Sequence, residues 1–177
     1  MTEPDPERSP QLPVLPEVVE TDRLRLPLVT PEDAEGMLAG RRRVSWHADY
    51  PRRDDQDAVA LVRADGPDRS WGPRHVVRRS DGVTVGSIGF FAAPESAGEA
   101  LEAEVGFGLV EEARGHGAVP EALTALLLLT DSAGVRVRAA VQPENRASLR
   151  VLAKCGFTEL RGTTEEGELV MVRPLPT

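Results

Sequence analysis

The sequence has one cysteine, no long hydrophobic run and no excess of positive charge, and each of these absences excludes a class of protein. The single cysteine, Cys155, cannot form a disulfide within the chain, and no zinc-ligand spacing surrounds it. The longest apolar run, Leu126 to Leu129, falls far short of the ~20 residues that span a bilayer. A net charge of −8 argues against nucleic-acid binding, which requires a basic surface. We expect a cytoplasmic protein without a metal, nucleic-acid or membrane partner.

The length of 177 residues, of which 40% are hydrophobic, suits one sizeable core rather than two. The stretch from Met1 to about Val19 is rich in proline and charge and shows no apolar periodicity. Prolines and acidic residues interrupt each of its apolar runs, so it does not resemble a signal peptide. We therefore expect a disordered tail over residues 1–19 and a single domain over residues 20–177.

The first half of the domain predicts a strand, two helices and a hairpin. Thr30 can cap the first helix, because a proline and two acidic residues follow it, and Gly40 can end it. Ser80 to Gly82 has the composition of a hairpin turn. The predicted elements are a strand Thr21–Leu28, helices Thr30–Gly40 and Asp54–Ala64, and strands Arg74–Arg79 and Val83–Phe91.

The second half predicts a βαβ unit followed by a helix and two strands. A buried helix from Pro120 to Ala133 lies between the predicted strands Leu101–Val110 and Val135–Val141, which should therefore be parallel. The last elements are a helix Arg146–Lys154 and strands Phe157–Gly162 and Glu168–Arg173. The order β-α-α-β-β-β-α-β-α-β-β predicts an α/β fold with a mixed sheet and a central βαβ unit.

A glycine-rich turn, Arg114-Gly-His-Gly-Ala-Val119, opens directly into the helix of this βαβ unit. Glycines let a backbone approach phosphate oxygens, and the positive end of the helix favours an anion such as pyrophosphate. The turn lacks the Gly-Lys-Ser/Thr of a nucleotide P-loop, and it lacks the third glycine and later acidic residue of the dinucleotide fingerprint. Taken alone, two glycines also fit an ordinary tight turn.

A second motif follows one strand later, where Asn145 precedes the last helix and Ser148 lies three residues on. An N-capped helix closed by Gly156 would by itself explain these residues. Together, in this order, the two motifs resemble the GNAT superfamily of N-acetyltransferases, in particular the Rim-like branch of ribosomal-protein N-terminal acetyltransferases. The resemblance extends from about Glu20 to Pro174.

The resemblance implies a GNAT-like sheet and a site for acetyl coenzyme A as cosubstrate. In such a site the glycine-rich turn holds the pyrophosphate, the preceding strand pairs with the pantetheine arm, and the Asn-x-x-Ser motif lies along that arm. Val119 and Pro120 depart from the family pattern, and Pro120 removes one N–H donor. The implied cofactor-binding residues are Leu109, Val110, Arg114, Gly115, His116, Gly117, Ala118, Val119, Asn145 and Ser148.

The reaction implied by the resemblance is direct attack of a neutral amine on the thioester, with both reactants held in one cleft. Glu104 is the expected base and Glu102 the second candidate, and backbone N–H groups near Gly108 and Leu109 would stabilise the oxyanion. Many relatives carry a tyrosine that acts as the acid where this chain has Leu152. Ser148 is therefore expected to hydrogen-bond or protonate the leaving thiolate. The acceptor is expected to contact Trp46, His47 and Tyr50, in a segment that also contains Asp49.

Two other functions remain open on the sequence alone. The chain could be a coenzyme-A-binding protein without catalysis, because Val119, Pro120 and Leu152 depart from the family pattern. It could also be a regulatory domain that keeps the fold. The sequence leaves the acceptor open between a protein N-terminus and a small-molecule amine, and the assembly open between a monomer and a homodimer.

Overall fold

The computed structural model describes residues 12–60, 62 and 67–177, which form nine strands and four α-helices within those ranges. The strands are β1 (Val18–Glu20), β2 (Leu24–Pro27), β3 (Pro73–Arg78), β4 (Thr84–Phe90), β5 (Glu95–Ala97), β6 (Ala100–Leu109), β7 (Val135–Val141), β8 (Glu159–Thr163) and β9 (Leu169–Arg173). The helices are α1 (Pro31–Leu38), α2 (Arg53–Val59), α3 (Ala118–Ser132) and α4 (Arg146–Lys154).

One mixed sheet contains all nine strands, in the order β1-β2-β3-β4-β6-β7-β9-β8, with β5 paired to β6. Every neighbouring pair is antiparallel except β6 and β7, which run parallel and are joined by α3. The predicted mixed α/β fold with a central βαβ unit is therefore confirmed. Among the described helices, none is long and apolar enough to cross a membrane.

The helices cover both faces of the sheet. Asp131 of α3 pairs with Arg173, and a sulfur contact joins Cys155, at the end of α4, to the Pro120 carbonyl, so α3 and α4 share one face. On the opposite face, Asp33 of α1 contacts His75 and Arg52 at the start of α2 lies against Gly108. Because the sheet separates α2 from α4, residues of these two helices can line the same cleft only where the sheet is open.

The predicted elements agree with the structure except at their ends and in two short strands. Thr30 caps α1 as predicted, because its side chain accepts a hydrogen bond from the Asp33 N–H. The helix predicted over Asp54–Ala64 ends at Val59 in α2, and residues 61, 63 and 64 of that prediction lie outside the described residues. Strands β1 and β5 have only three residues each, too few to show a periodicity of two.

Residues 12–19 of the tail that is predicted to be disordered over residues 1–19 lie against the domain, and residues 1–11 lie outside the described part of the chain. Leu15 is buried, and its N–H donates to the Ser70 hydroxyl. The indole N–H of Trp71 donates to the Pro13 carbonyl over 2.8 Å. Proline and charge dominate the composition of this segment, but its few apolar residues find partners in the core that only the folded chain supplies.

Candidate functional site

The opening in the sheet lies between β6 and β7. The two strands pair only from Leu101 to Glu104 on β6 and from Val135 to Arg138 on β7. Beyond Glu104, β6 continues in register with β4 alone, so the two parallel strands diverge. A cleft of about 530 Å³ fills the gap, and it is lined by α2 on one face of the sheet and by α4 on the other. The cleft therefore passes through the sheet and is open to two different ligands at once.

The main chain of β6 offers hydrogen-bonding groups to this cleft at alternate residues. Gly106 and Gly108 lie opposite Gly89 and Ser87 of β4, and the Val110 N–H donates to the Val85 carbonyl. In an antiparallel ladder the residues between these bonded positions direct their N–H and C=O groups the other way. Phe107 and Leu109 therefore present their main-chain groups to the gap.

The resemblance implies that the main chain of Val110 pairs with pantetheine, but its two main-chain groups already have partners within the protein. Its N–H donates to Val85 and its carbonyl accepts from the Ala113 N–H, so neither main-chain group is free to pair with a ligand. Leu109 keeps its N–H toward the gap, although its carbonyl accepts a hydrogen bond from Nε of Arg114 over 3.0 Å. Of the two residues expected to pair with pantetheine, only Leu109 has the required backbone orientation.

The glycine-rich turn has the backbone conformation that anion binding requires. Gly115 and Gly117 have φ of 79° and 77°, in the left-handed region that glycine adopts without strain. Helix α3 begins directly afterwards, at Ala118. Within the described part of the chain, none of the N–H groups from Gly115 to Val119 donates to a protein acceptor. These exposed donors and the positive end of α3 form a cradle for an anion.

Arg23 and Glu121 fix this turn in place. Arg23 donates from Nη1 to the His116 carbonyl over 2.8 Å and pairs through Nε with Glu121 of α3. Glu121 also accepts the hydroxyl of Thr21 and the N–H of Arg23. Burial would raise the pKa of the Glu121 carboxyl, but these hydrogen bonds hold it below its ordinary value. Glu121 thus stays ionised, and Arg23 neutralises it beside the anion cradle.

The Asn-x-x-Ser motif lies on the opposite wall of the cleft. The Oδ1 atom of Asn145 accepts the Ser148 N–H over 3.1 Å, which caps α4 as predicted. Asn145, Ser148 and the buried Leu152 all line the cleft. The cap leaves the Asn145 amide nitrogen and the Ser148 hydroxyl available to a ligand in the cleft.

The two carboxylates proposed as bases lie side by side on the face of the sheet that carries α2. Glu104 accepts a hydrogen bond from Nε of Arg138 over 3.0 Å. Glu102 is more deeply buried and is held by Arg136 and Arg161 at 2.6 Å each. Hydrogen bonds from Arg161, and less so from Arg136, keep the pKa of Glu102 below its ordinary value although burial opposes this. With its oxygens committed to arginines, Glu102 is a poor base.

Trp46 and Tyr50, which are expected to bind the acceptor, do not line the cleft. Both are buried in the core, and Tyr50 is fully inaccessible. The Tyr50 hydroxyl hydrogen-bonds Nδ1 of His75 over 2.8 Å, and Nε2 of His75 lies 3.3 Å from Asp33. His47 is more exposed but faces Glu112, 3.6 Å away, rather than the cleft. Apolar packing holds both aromatic rings in the core, and the hydrogen bonds from Tyr50 through His75 to Asp33 add to it.

Sequence reasoning missed the residues that do line the cleft on this face. Arg52 and Asp55 lie at the start of α2, where the sequence suggested only the boundary between a loop and a helix. Asp55 is completely buried and accepts the Ser87 hydroxyl over 2.5 Å as well as hydrogen bonds from Arg52. Phe91 lies against Gly106 at the rim. A carboxylate in the first turn of a helix normally indicates capping, so the sequence alone held no signal for this site.

Comparison with known proteins identifies the architecture around this cleft. A model of the acetyltransferase (GNAT) domain matches residues 23–158, whereas none of the curated protein sequences matches the chain. Among solved structures, RimJ from Mycobacterium smegmatis in complex with CoA-disulfide is similar, with 21% identity and a TM-score of 0.60. The match covers 89% of this chain and 87% of that one.

Two further solved structures show the same fold. The ribosomal-protein-S5-alanine acetyltransferase from Vibrio fischeri has 16% identity and a TM-score of 0.62, over 89% of this chain and 96% of its own. The microcin C7 self-immunity acetyltransferase MccE, in complex with acetyl-CoA and AMP, has 17% identity and a TM-score of 0.60. That match covers 86% of this chain and 93% of MccE.

Proposed function

The chain belongs to the acetyltransferase (GNAT) family, and from this premise we propose that it transfers an acetyl group from acetyl-CoA to a primary amine. The amine attacks directly, within a complex that holds both reactants. The observation that carries the proposal is the cleft between β6 and β7, which passes through the sheet, together with the anion cradle that follows β6 in the chain. One ligand can enter from the face of α4 while the other enters from the face of α2.

The residues of this chain fit coenzyme A at three points. The exposed N–H groups from Gly115 to Val119 can bind the pyrophosphate, because the two glycines in the left-handed conformation carry no side chain that would block its approach. The N–H of Leu109 faces the gap, where it can pair with the amide groups of pantetheine. Ser148 and Asn145 line the other wall. The bound CoA-disulfide of RimJ and the bound acetyl-CoA of MccE support the same cosubstrate for this fold.

Acetyl-CoA supplies an activated carbonyl with a thiolate leaving group, so the chain has no covalent step of its own to perform. Binding both reactants in one cleft supplies much of the rate through orientation. The N–H group of Phe107 also faces the gap and is available to an oxygen that gains negative charge during attack. The Ser148 hydroxyl is available to the departing sulfur.

Glu104 remains the proposed base for the amine proton. Its side chain shares a face with Gly106 and Gly108, since residues two apart along a strand point the same way. That face also carries α2, so it is the side from which the amine would enter. Arg138 holds the Glu104 carboxylate in place through one oxygen and leaves the other oxygen free to accept a proton.

A panel of amines and short peptides, incubated with acetyl-CoA while free thiol release is followed, tests the proposal. We expect turnover on at least one class of primary amine and none on the same compound after N-acetylation. The control is Gly117→Trp, which fills the anion cradle and should abolish turnover on every substrate. An intact enzyme that binds acetyl-CoA but acetylates no amine would instead be a binding protein, and absence of acetyl-CoA binding would remove the proposal.

A further inference from the structure

Among the residues that the structure describes, Arg52 is the only cationic side chain that lines the cleft, and a buried carboxylate holds it rigidly. Asp55 accepts the Arg52 main-chain N–H over 2.8 Å, and Nε and Nη2 of the same guanidinium over 3.0 Å each. The Ser87 hydroxyl supplies a fourth hydrogen bond to Asp55. A carboxylate bound in this way fixes a bidentate arginine in one geometry.

The guanidinium of Arg52 lies directly over Gly108 of β6. A β-carbon at Gly108 would overlap the Arg52 guanidinium, so only glycine permits this approach. Because the main chain at neighbouring Phe107 faces the gap, Arg52 lies beside the point where the thioester carbonyl is proposed to bind. In the described part of the chain Nε and Nη2 are used on Asp55, and no acceptor is present for Nη1. A donor with fixed geometry is thus left in the cleft.

The charges around the cleft determine which group of the substrate can accept a hydrogen bond from Arg52. Within the described ranges, the lining contains four carboxylates and one guanidinium. Arg52 and Asp55 neutralise each other, so Asp54, Asp57 and Glu168 leave the cleft negative. This field attracts an ammonium group and repels an acceptor that carries its own carboxylate. The remaining donor therefore suits an uncharged oxygen.

We propose that Arg52 is a specificity-determining residue that donates a hydrogen bond to an un-ionised carbonyl next to the acceptor amine. The substrate class that follows is an α-amino amide or ester, and the N-terminus of a peptide is one member of it. This inference rests on the proposed acetyl transfer to an amine. It adds that a simple alkylamine, which lacks the carbonyl, and a free amino acid, which carries a carboxylate, are both poor acceptors.

Wild-type enzyme tests the inference with three acceptors of similar size: alaninamide, sec-butylamine and alanine. We expect kcat/KM, corrected for the fraction of neutral amine, to be at least roughly tenfold higher for alaninamide than for either of the others, as one hydrogen bond to a charged donor allows. Equal values for alaninamide and sec-butylamine would overturn the inference and leave the proposed function intact. Turnover on none of the acceptors or peptides would instead remove the proposed function.

Variants assign the preference to Arg52. Arg52→Gln should lower the ratio of alaninamide to sec-butylamine turnover about tenfold without changing acetyl-CoA affinity. Because this change leaves Asp55 buried and unpaired, the double variant Arg52→Gln/Asp55→Asn provides the same readout without a buried charge. The matched control is Arg53→Gln, since Arg53 is exposed on the same helix and does not line the cleft. An equal loss on both acceptors would mean that Arg52 only shapes the cleft, and would overturn the inference.

Discussion

Arg138 donates a hydrogen bond from Nε to Oε2 of Glu104 over 3.0 Å, across the last residue pair that joins β6 to β7. Glu104 and Arg138 therefore mark the end of the pairing between the two strands, and the cleft begins at the next residue, Val105. A carboxylate fixed at this position can receive a proton beside the cleft without being free to move. This arrangement is the basis for keeping Glu104, rather than Glu102, as the proposed base.

We expect Glu104→Gln to reduce kcat on an amine acceptor by roughly 10²-fold, since a positioned general base contributes about that much. The loss should be greatest at low pH, where the amine arrives protonated and must lose a proton before it attacks. Profiles of kcat against pH for the wild type and the variant provide the measurement. Full activity of Glu104→Gln across the pH range would mean that water or the substrate removes the proton.

Glu102 should affect stability rather than catalysis. The pKa of its carboxyl is lower in the folded chain than its ordinary value of 4.5, so its contribution to stability is complete above that value and is lost as the pH falls through the folded pKa. We expect Glu102→Gln to cost about 1–3 kcal/mol at neutral pH and to flatten the acid side of the stability curve. Urea unfolding at several pH values measures this, and an unchanged acid slope would contradict it.

Gly117 should be required for cofactor binding beyond its role in the turn. Gly117→Ala and Gly134→Ala both place a side chain at a φ near +70°, so each should cost about 1 kcal/mol of stability. Gly134 follows α3 at its opposite end, away from the anion cradle, and is the matched control. Calorimetry should show weaker acetyl-CoA binding for Gly117→Ala alone. Equal affinity in the two variants would mean that the loop is only a turn.

Ser148→Ala tests the proposed role of its hydroxyl at the leaving sulfur. The Ser148 main-chain N–H, which Asn145 caps, is retained in this variant, so α4 should keep its start. We expect kcat to fall about tenfold or more while the acetyl-CoA dissociation constant stays within about twofold. The control is Ser132→Ala, because Ser132 is exposed at the end of α3 and its hydroxyl donates to the Leu128 carbonyl within the same helix. A parallel rise in KM and Kd would indicate binding instead.

Tyr50→Phe distinguishes a core residue from a substrate contact. The variant removes the hydroxyl that bonds His75 and leaves a buried imidazole nitrogen without its partner, so we expect a loss of about 1–3 kcal/mol of stability. The KM for the acceptor should not change, because Tyr50 is inaccessible. A selective rise in the acceptor KM would restore the original expectation that Tyr50 binds substrate.

The helices, caps and strands that depend on short stretches of residues could be predicted from the sequence. The cap at Thr30, the helix over Arg146–Lys154 and the parallel βαβ unit all follow from short patterns of capping residues and apolar periodicity. The glycine-rich turn was visible for the same reason, since two glycines before a helix already encode its conformation. Family membership followed from the spacing of that turn and the Asn-x-x-Ser motif.

Which polar and aromatic side chains reach the cleft could be seen only once the chain was folded. Trp46 and Tyr50 looked suited to a substrate but lie in the core, because their ring partners come from β3 and from each other. Arg52 and Asp55 looked like a helix boundary but line the cleft, because α2 packs over Gly108 on a strand more than 50 residues later in the chain. Contacts between such distant segments depend on where β6 and β7 diverge, and no local pattern of residues carries that information.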